Sequence, residues 1–383
     1  MKLGVEALFE HHAHLIAGKK LGLVSNYTMT NSGLVPVIDL FMEATNCDVT
    51  KLFGPEHGVR NSAREGEHVS FAVDRHSGLP AYSLYGDTRK PTADMLAELD
   101  ALVIDLQDIG TRYYTNMNTA ALCLEACSAV GMPCIVLDRP NPIGAAREGF
   151  VIRKEFASFV GMYPIVNRHG LTMGELTLLY NTVNGIGCDL TVVQMEGWKH
   201  SMFLADTGLT FAPPSPNTSG FDMMTLYPGT CLFEGTNVSV GRGTTRPFEL
   251  IGAPWIDGHT LAQQFNRLNL PGVVARPVYF TPHHSLYRGE LCEGVQLHIT
   301  DPAQVHAFRA GVALVQEVAA AYPVAFEFVT PDSGGRLFFD LLAGDDRLRT
   351  LISQGMGHRY FQEEPRALAE FSALAGRFEL YGR

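Results

Sequence analysis

Two glutamates in this chain sit among turn residues, where a carboxyl group can meet a ligand. Glu56 lies in FGPEHG (53–58), beside His57 and between Gly54-Pro55 and Gly58. Glu234 opens EGTNVSVGRGTT (234–245), with Asn237, Ser239 and Arg242 on a backbone of small residues. A glutamate next to a histidine can give or take a proton, and the histidine can orient or tune it. A glycine-rich stretch lets a ligand approach the backbone closely. Both have plainer readings: Glu56 as a loop carboxylate capping the next helix, Glu234 as the ion-pair partner of Arg242. The GRG triplet is no phosphate loop, because neither G-x-x-x-x-G-K-[ST] nor a G-x-G-x-x-G behind a strand is present.

A second constellation is DLQDIGTRYYT (105–115). Asp105 and Asp108 lie within one turn of each other, with Arg112, Tyr113 and Tyr114 close behind. Carboxylates accept from hydroxyls and tyrosine faces stack on apolar ring surfaces, so a pocket for a sugar or another polyol is one reading. An Asp–Arg pair that stiffens the loop is the other. In DRPNPIG (138–144) two prolines fix the chain, leaving Asp138 and Asn141 to face a ligand or simply to build a turn. His169, in NRHGLTMGEL, stands just ahead of a helix whose first turn includes Glu175. Glu56, His57, Asp105, Asp108 and His169 could in principle form a mixed oxygen and nitrogen metal site. No H-E-x-x-H supports that, and no metal is expected.

The elements that must carry these groups are short apolar runs: Leu21–Ser25, Val49–Phe53, Ala81–Tyr85, Ala101–Leu106, Cys134–Asp138 and Leu190–Met195. Helical patterns at 35–44, 92–99 and 119–130 lie between them. Strands apolar on both faces imply a mostly parallel sheet covered by helices. The expectation is α/β: a Rossmann-like doubly wound domain over about residues 1–240, with a second, smaller α/β domain over 241–383. In open α/β sheets ligands bind beyond the carboxyl ends of the strands. The polar sequences fall at those ends: Asn26-Tyr27, Pro55-Glu56-His57, Gly86-Asp87, Gln107-Asp108, and Arg139 to Pro142. The composition shifts after Phe211, through the rigid APPSPN (212–217), into a Gly-, Thr- and Ser-rich segment at 227–249 that reads as irregular. Beyond it, strands are expected at 273–280, 295–299, 324–329 and 337–340, and a helix at 302–321.

The 383 residues carry a formal net charge of −11 with no basic cluster, which argues against nucleic acid or an anionic membrane surface as partner. No apolar run reaches the roughly 18 residues of a membrane helix. Seven cysteines without a C-x-x-C pair fit buried free thiols better than a disulfide framework. The N-terminus shows no signal peptide, so a cytoplasmic location is expected, with export the alternative if a leader has been removed.

The motifs FGPEHG, YSLYGDTRKPT (82–92), DLQDIGTRYYT, VLDRPNPIG (136–144), SFVGMYP (158–164), RHGLTMGEL (168–176), PPSPN (213–217), YPGT (227–230), EGTNVSVGRGTTRPFE (234–249) and IGAPW (251–255) run in order over almost the whole chain. Through them the sequence resembles the NamZ-type exo-β-N-acetylmuramidases. These are glycoside hydrolases that release N-acetylmuramic acid from the non-reducing end of peptidoglycan fragments. The resemblance implies a Rossmann-like domain plus an auxiliary α/β domain, an active site in the cleft between them, and catalysis without cofactor. It implies that Glu56 and Glu234 are catalytic, with His57 orienting Glu56. Asn26, Asp105, Asp108, Arg112, Tyr114, Asp138, Asn141, His169, Asn217, Asn237 and Arg242 are then the candidate substrate contacts. Arg112 or Arg242 would pair with the lactyl carboxylate that distinguishes N-acetylmuramic acid from N-acetylglucosamine. The expected partner is a muramic acid-containing disaccharide or glycan fragment. The competing classes are a non-catalytic sugar-binding protein and a metal-dependent hydrolase or lyase acting on muramic acid derivatives.

Overall fold

The computed structural model describes residues 1–63, 67, 71–330 and 335–382. Seven strands form the larger sheet: β1 (Lys20–Val24), β2 (Asp48–Gly54), β3 (Ala72–Val73), β4 (Pro80–Ser83), β5 (Ala101–Ile104), β6 (Cys134–Leu137) and β7 (Leu190–Val193). Their order is β3-β4-β2-β1-β5-β6-β7, parallel throughout except for the two-residue edge strand β3. The chain moves outward from β1 through β2 to β4, then returns to β1's other side as β5. The crevice between β1 and β5 is therefore the point where the strand order reverses. Leu21, Leu23, Val103 and Leu137 pack in one apolar core, while Val24, Ile104 and Val136 pack in another with the helices Asn116–Val130 and Met173–Val183. This two-sided burial explains why the strands read as continuous apolar runs.

The smaller sheet is antiparallel, in the order β8 (Leu250–Ala253), β10 (Cys292–Ile299), β9 (Val273–Phe280). The helices Gly258–Arg267 and Ala307–Ala321 pack with it in a third core. The helix Phe221–Thr230 and the 3-10 turn Cys231–Gly235 share that core. The region expected to be irregular thus begins helical, and Phe233 is fully buried. Two expected strands differ. Residues 324–329 make one isolated bridge, at Phe328, and residues 337–340 open a helix, Phe338–Ala343. A short apolar run such as LFFDLLA carries no periodicity that separates strand from helix.

The chain does not finish in the second unit. The helix Glu364–Ala375 sets Phe371 and Ala375 into the core of the parallel sheet, and Tyr381 donates to Asp138 at the end of β6 (2.6 Å). A buried network fastens the same junction. Arg168 donates to Glu148 (2.6 Å), as does the backbone N–H of Phe308 (2.7 Å). His306 lies between Glu148 (3.2 Å) and Glu364 (3.1 Å). Burial works against a charge on His306, but the two carboxylates outweigh it and raise its pKa to about 9. All seven cysteines are free, and six are buried. No described helix is long and apolar enough to cross a membrane.

Candidate active site

The turn after β2 is tightly wound. A Cβ on Gly54 would come within 2.5 Å of the Val59 nitrogen, and Gly58 has φ +71°. Only glycine fits the first position, and the second favours it strongly. This turn lifts Glu56 and His57 off the sheet, half-buried. Glu56 accepts a hydrogen bond from Thr115 Oγ1 (2.7 Å), one residue past the paired tyrosines. His57 Nδ1 lies 2.8 Å from the carbonyl of Ala63. Glu56 and His57 form one edge of an open cleft. Tyr114, Thr115, Ser215, Asn217, Arg242 and Phe248 are among its other walls. Burial pushes the Tyr114 phenol up in pKa against the opposing Ser215 and Thr218 hydroxyls, so it stays protonated. Tyr227 packs edge-on against both Tyr113 and Phe248, giving the cleft an aromatic floor.

Glu234 meets this cleft through its partner. Arg242 Nε donates to Glu234 Oε1 (2.8 Å), the Cys231 thiol donates to Oε2 (3.4 Å), and the guanidinium lies 4.9 Å from the Phe248 ring. The ion pair between Glu234 and Arg242 is therefore present, and it is Arg242 that faces the cleft.

Beneath the rim lies a buried polar layer. Asp105 pairs with Arg139, and burial holds its carboxyl above the ordinary range despite that guanidinium. Asp108 accepts from the Gly110 N–H and from His169 Nε2 (3.1 Å). His169 Nδ1 accepts from the Leu171 N–H (3.2 Å), which fixes its proton on Nε2. Asn26 folds its Oδ1 back onto Thr28. One atom of each of these groups, Asn26 Nδ2, Asp105 Oδ2 and Asp108 Oδ1, is buried without a hydrogen-bond partner among the described residues. Glu56 and His57 are not gathered with Asp105, Asp108 and His169 into a metal set. No group of three or more His, Cys, Asp or Glu side chains suited to a metal occurs among the described residues.

Four candidate contacts prove to be engaged elsewhere. Arg112 is 0% exposed. It donates to the carbonyls of Phe150 (2.7 Å) and Ile165 (3.1 Å) in the first unit, and of Leu342 (2.7 Å) and Ala343 (3.0 Å) in the second. Those last two carbonyls close the helix Phe338–Ala343, whose cap Gly344 has φ +90° and lies against the guanidinium. Arg112 thus joins the two units, and the lactyl role expected of it does not fit. Asp138 accepts from the N–H groups of Arg139 and Gly174 and the hydroxyls of Thr172 and Tyr381, so it organises a helix start and the C-terminal strap. Burial raises its pKa to about 6 in spite of those donors. Asn141 bridges Leu171 O and the Ile143 N–H, and Asn237 bridges Ala325 O and the Glu327 N–H. All three are turn-builders.

Thr115, Ser215, Thr218, Tyr227 and Phe248 line the cleft without having been singled out individually. Their signal was present: each lies inside or next to one of the ordered motifs. A parallel sheet and a smaller second unit that close over a hydroxyl- and tyrosine-walled cleft, with a carboxyl at its edge, define a two-domain α/β protein shaped for a polyhydroxylated ligand. The chain belongs to the exo-β-N-acetylmuramidase NamZ family, whose N-terminal model matches residues 21–222 and whose C-terminal model matches residues 225–381. It is 43% identical, over its full length and 91% of the relative, to the peptidoglycan β-N-acetylmuramidase NamZ of Bacillus subtilis (strain 168). Two crystal structures of DUF1343 family proteins from Bacteroides fragilis share the fold. One has a TM-score of 0.90 at 37% identity, covering 99% of this chain and 98% of that one. The other has a TM-score of 0.77 at 28% identity, covering 100% and 99%.

Proposed function

We propose that the chain is an exo-acting β-N-acetylmuramidase. It hydrolyses the glycosidic bond of N-acetylmuramic acid at the non-reducing end of peptidoglycan fragments, with Glu56 as the acid that protonates the leaving oxygen. The observation that carries this reading is Glu56 itself: a half-buried carboxyl on a rigid Gly-Pro turn, hydrogen-bonded to Thr115, at the edge of a cleft walled by hydroxyls and tyrosines. Full-length similarity to a peptidoglycan β-N-acetylmuramidase supports the substrate class.

Glycoside hydrolysis generally needs a second carboxyl, as nucleophile or as base for water. Glu234, held by Arg242, fills that role in one version. A second version is favoured by a specific observation: Glu56 is the one carboxylate among the described residues lining the cleft, whereas Glu234 stands behind Arg242. The sugar's own 2-acetamido oxygen then attacks C1, and Glu234 serves to position Arg242. The test is turnover of a chromogenic β-N-acetylmuramide in EDTA, with products followed from a natural fragment. Release of free monosaccharide from the first time points is expected. Binding without turnover would leave a sugar-binding protein, activity lost to chelation would point to a metal enzyme, and a ladder of oligosaccharides would mean endo action.

A further inference from the structure

Arg112 and Arg242 were the cations expected to read the lactyl carboxylate. The first is locked between two units, and the second is paired with Glu234. A different arginine lies on the loop after β4, the strand next to the one that carries Glu56. The loop after β4 runs through Tyr85 and Arg89, and it is stapled on the far side of Arg89. Thr88 Oγ1 donates to the Lys90 carbonyl (2.6 Å), and Lys90 Nζ pairs with Glu125 (2.9 Å), which also accepts from the Tyr163 hydroxyl (2.6 Å). This fixed loop lays the Arg89 guanidinium over two rings, with its Cζ 5.0 Å from the centroid of Tyr85 and 4.1 Å from that of Phe159. The rings themselves are 5.5 Å apart, and the Phe159 backbone is anchored by Asn118 (2.8 Å).

A guanidinium held by its face on aromatic rings keeps its N–H edges for a partner. No hydrogen bond or ion pair to Arg89 exists among the described residues, and the side chain is exposed. Its position relative to the chemistry follows from two elements. Ser83 of β4 pairs with Gly54 of β2, so the loops that carry Arg89 and Glu56 leave neighbouring strand ends. Thr115, which donates to Glu56, stands at the start of the helix whose Asn118 holds the Phe159 carbonyl. Burial raises the Tyr85 pKa, Glu56 adds to that rise and Arg89 opposes it. In N-acetylmuramic acid the glycosidic oxygen leaves C1 and the lactyl ether leaves C3 of the same ring. A proton donor and a carboxylate receptor on neighbouring loops match that layout.

Resting on the muramidase reading, we infer that Arg89, held over Tyr85 and Phe159, pairs with the lactyl carboxylate of the sugar whose glycosidic bond Glu56 addresses. A planar guanidinium edge binds a carboxylate through two parallel hydrogen bonds, which a neutral 3-hydroxyl cannot reproduce. Arg89 is then the residue that makes the cleft a muramic acid site.

The experiment compares wild type, Arg89→Gln and Arg89→Lys on three chromogenic β-glycosides: the N-acetylmuramide, its lactyl methyl ester and the N-acetylglucosaminide. Arg89→Gln is expected to lower kcat/KM on the muramide by roughly 10- to 10²-fold, chiefly through KM, while the ester and the glucosaminide change less than about threefold. Arg89→Lys should recover part of the loss, as a point charge without the fork. An equal fall on all three substrates, or an unchanged muramide, would overturn the assignment. Calorimetric binding of free N-acetylmuramic acid to the same proteins reads the pairing independently of turnover. Weaker binding by Arg89→Gln supports the pairing even if wild type hydrolyses nothing, an outcome that would defeat the muramidase reading alone. Equal binding defeats the pairing.

Discussion

The two halves of the sheet's carboxyl rim carry the same kind of sequence and do different work. On the β2–β4 side, Glu56, His57, Tyr85 and Arg89 are half-buried or exposed, and Glu56 and His57 line the cleft. On the β5–β6 side, Asp105, Asp108, Arg112, Asp138, Asn141 and His169 are all buried. Arg112 and Asp138 end on parts of the chain two hundred residues and more away. Both halves place titratable groups between turn residues after apolar strands. What separates them is where the rest of the chain lands. The helix Phe338–Ala343 settles on Arg112 and the C-terminal strap on Asp138, so those polar groups bond to protein. Glu56 stays half-buried at the cleft's edge with Thr115 as a donor, and Arg89 stays exposed. A polar motif at a strand end specifies a partner, and the partner is a ligand only where later segments leave the end open.

The sharpest separation comes from Glu56→Gln. Loss of general acid assistance typically costs about 10² to 10⁴ in rate. Activity on a natural fragment should fall by that amount with no change in unfolding midpoint, and it should return on substrates with very good leaving groups. Wild-type rates for this variant would erase the contrast between the halves. Arg112→Met probes the opposite half. It removes a donor from four buried carbonyls, of which Ile165 O keeps the Ile152 N–H and Leu342 O keeps Asn167, and an unsatisfied buried group costs about 1 to 3 kcal/mol. Denaturant unfolding should show a loss on the order of 3 to 5 kcal/mol, while KM of the folded fraction stays put. Full stability with weakened substrate binding would return Arg112 to the site.

The smallest effect concerns His306. Its folded pKa of about 9 lies above its ordinary 6.5, so its contribution is fully present below pH 6.5 and disappears as pH rises through about 9. Denaturant midpoints measured from pH 6 to pH 10 should fall across that window, and His306→Gln should flatten the fall. An unchanged slope in the variant would assign the loss to other groups.

Much of this was legible beforehand. The strands β5 and β6 are buried throughout and β1, β2 and β7 are largely apolar, so their runs end within about two residues of the structural limits. FGPEHG was legible because its glycines have a steric reason to be there. The failures share a cause. The fate of Arg112 depends on carbonyls 230 residues downstream, and that of Asp138 on Tyr381, 243 residues away. No local pattern encodes such contacts. The helix Phe338–Ala343 was misread because six residues, nearly all apolar, fit either period. Arg89 was passed over because its environment is two rings, of which Phe159 is 70 residues distant.

The strap at the chain's end bears on how this protein is made. Phe371 and Ala375 complete a core whose other buried members come from residues 24–188, with Leu368 and Phe378 alongside, and Tyr381 donates to Asp138. During synthesis that core therefore waits for its last two buried side chains while the whole of the second unit is translated. The two family models divide the chain near residue 223, yet the C-terminal piece carries residues that the N-terminal sheet requires. A chain interrupted anywhere before residue 364 leaves an apolar gap where Phe371 and Ala375 belong, the kind of surface that chaperones hold and proteases clear.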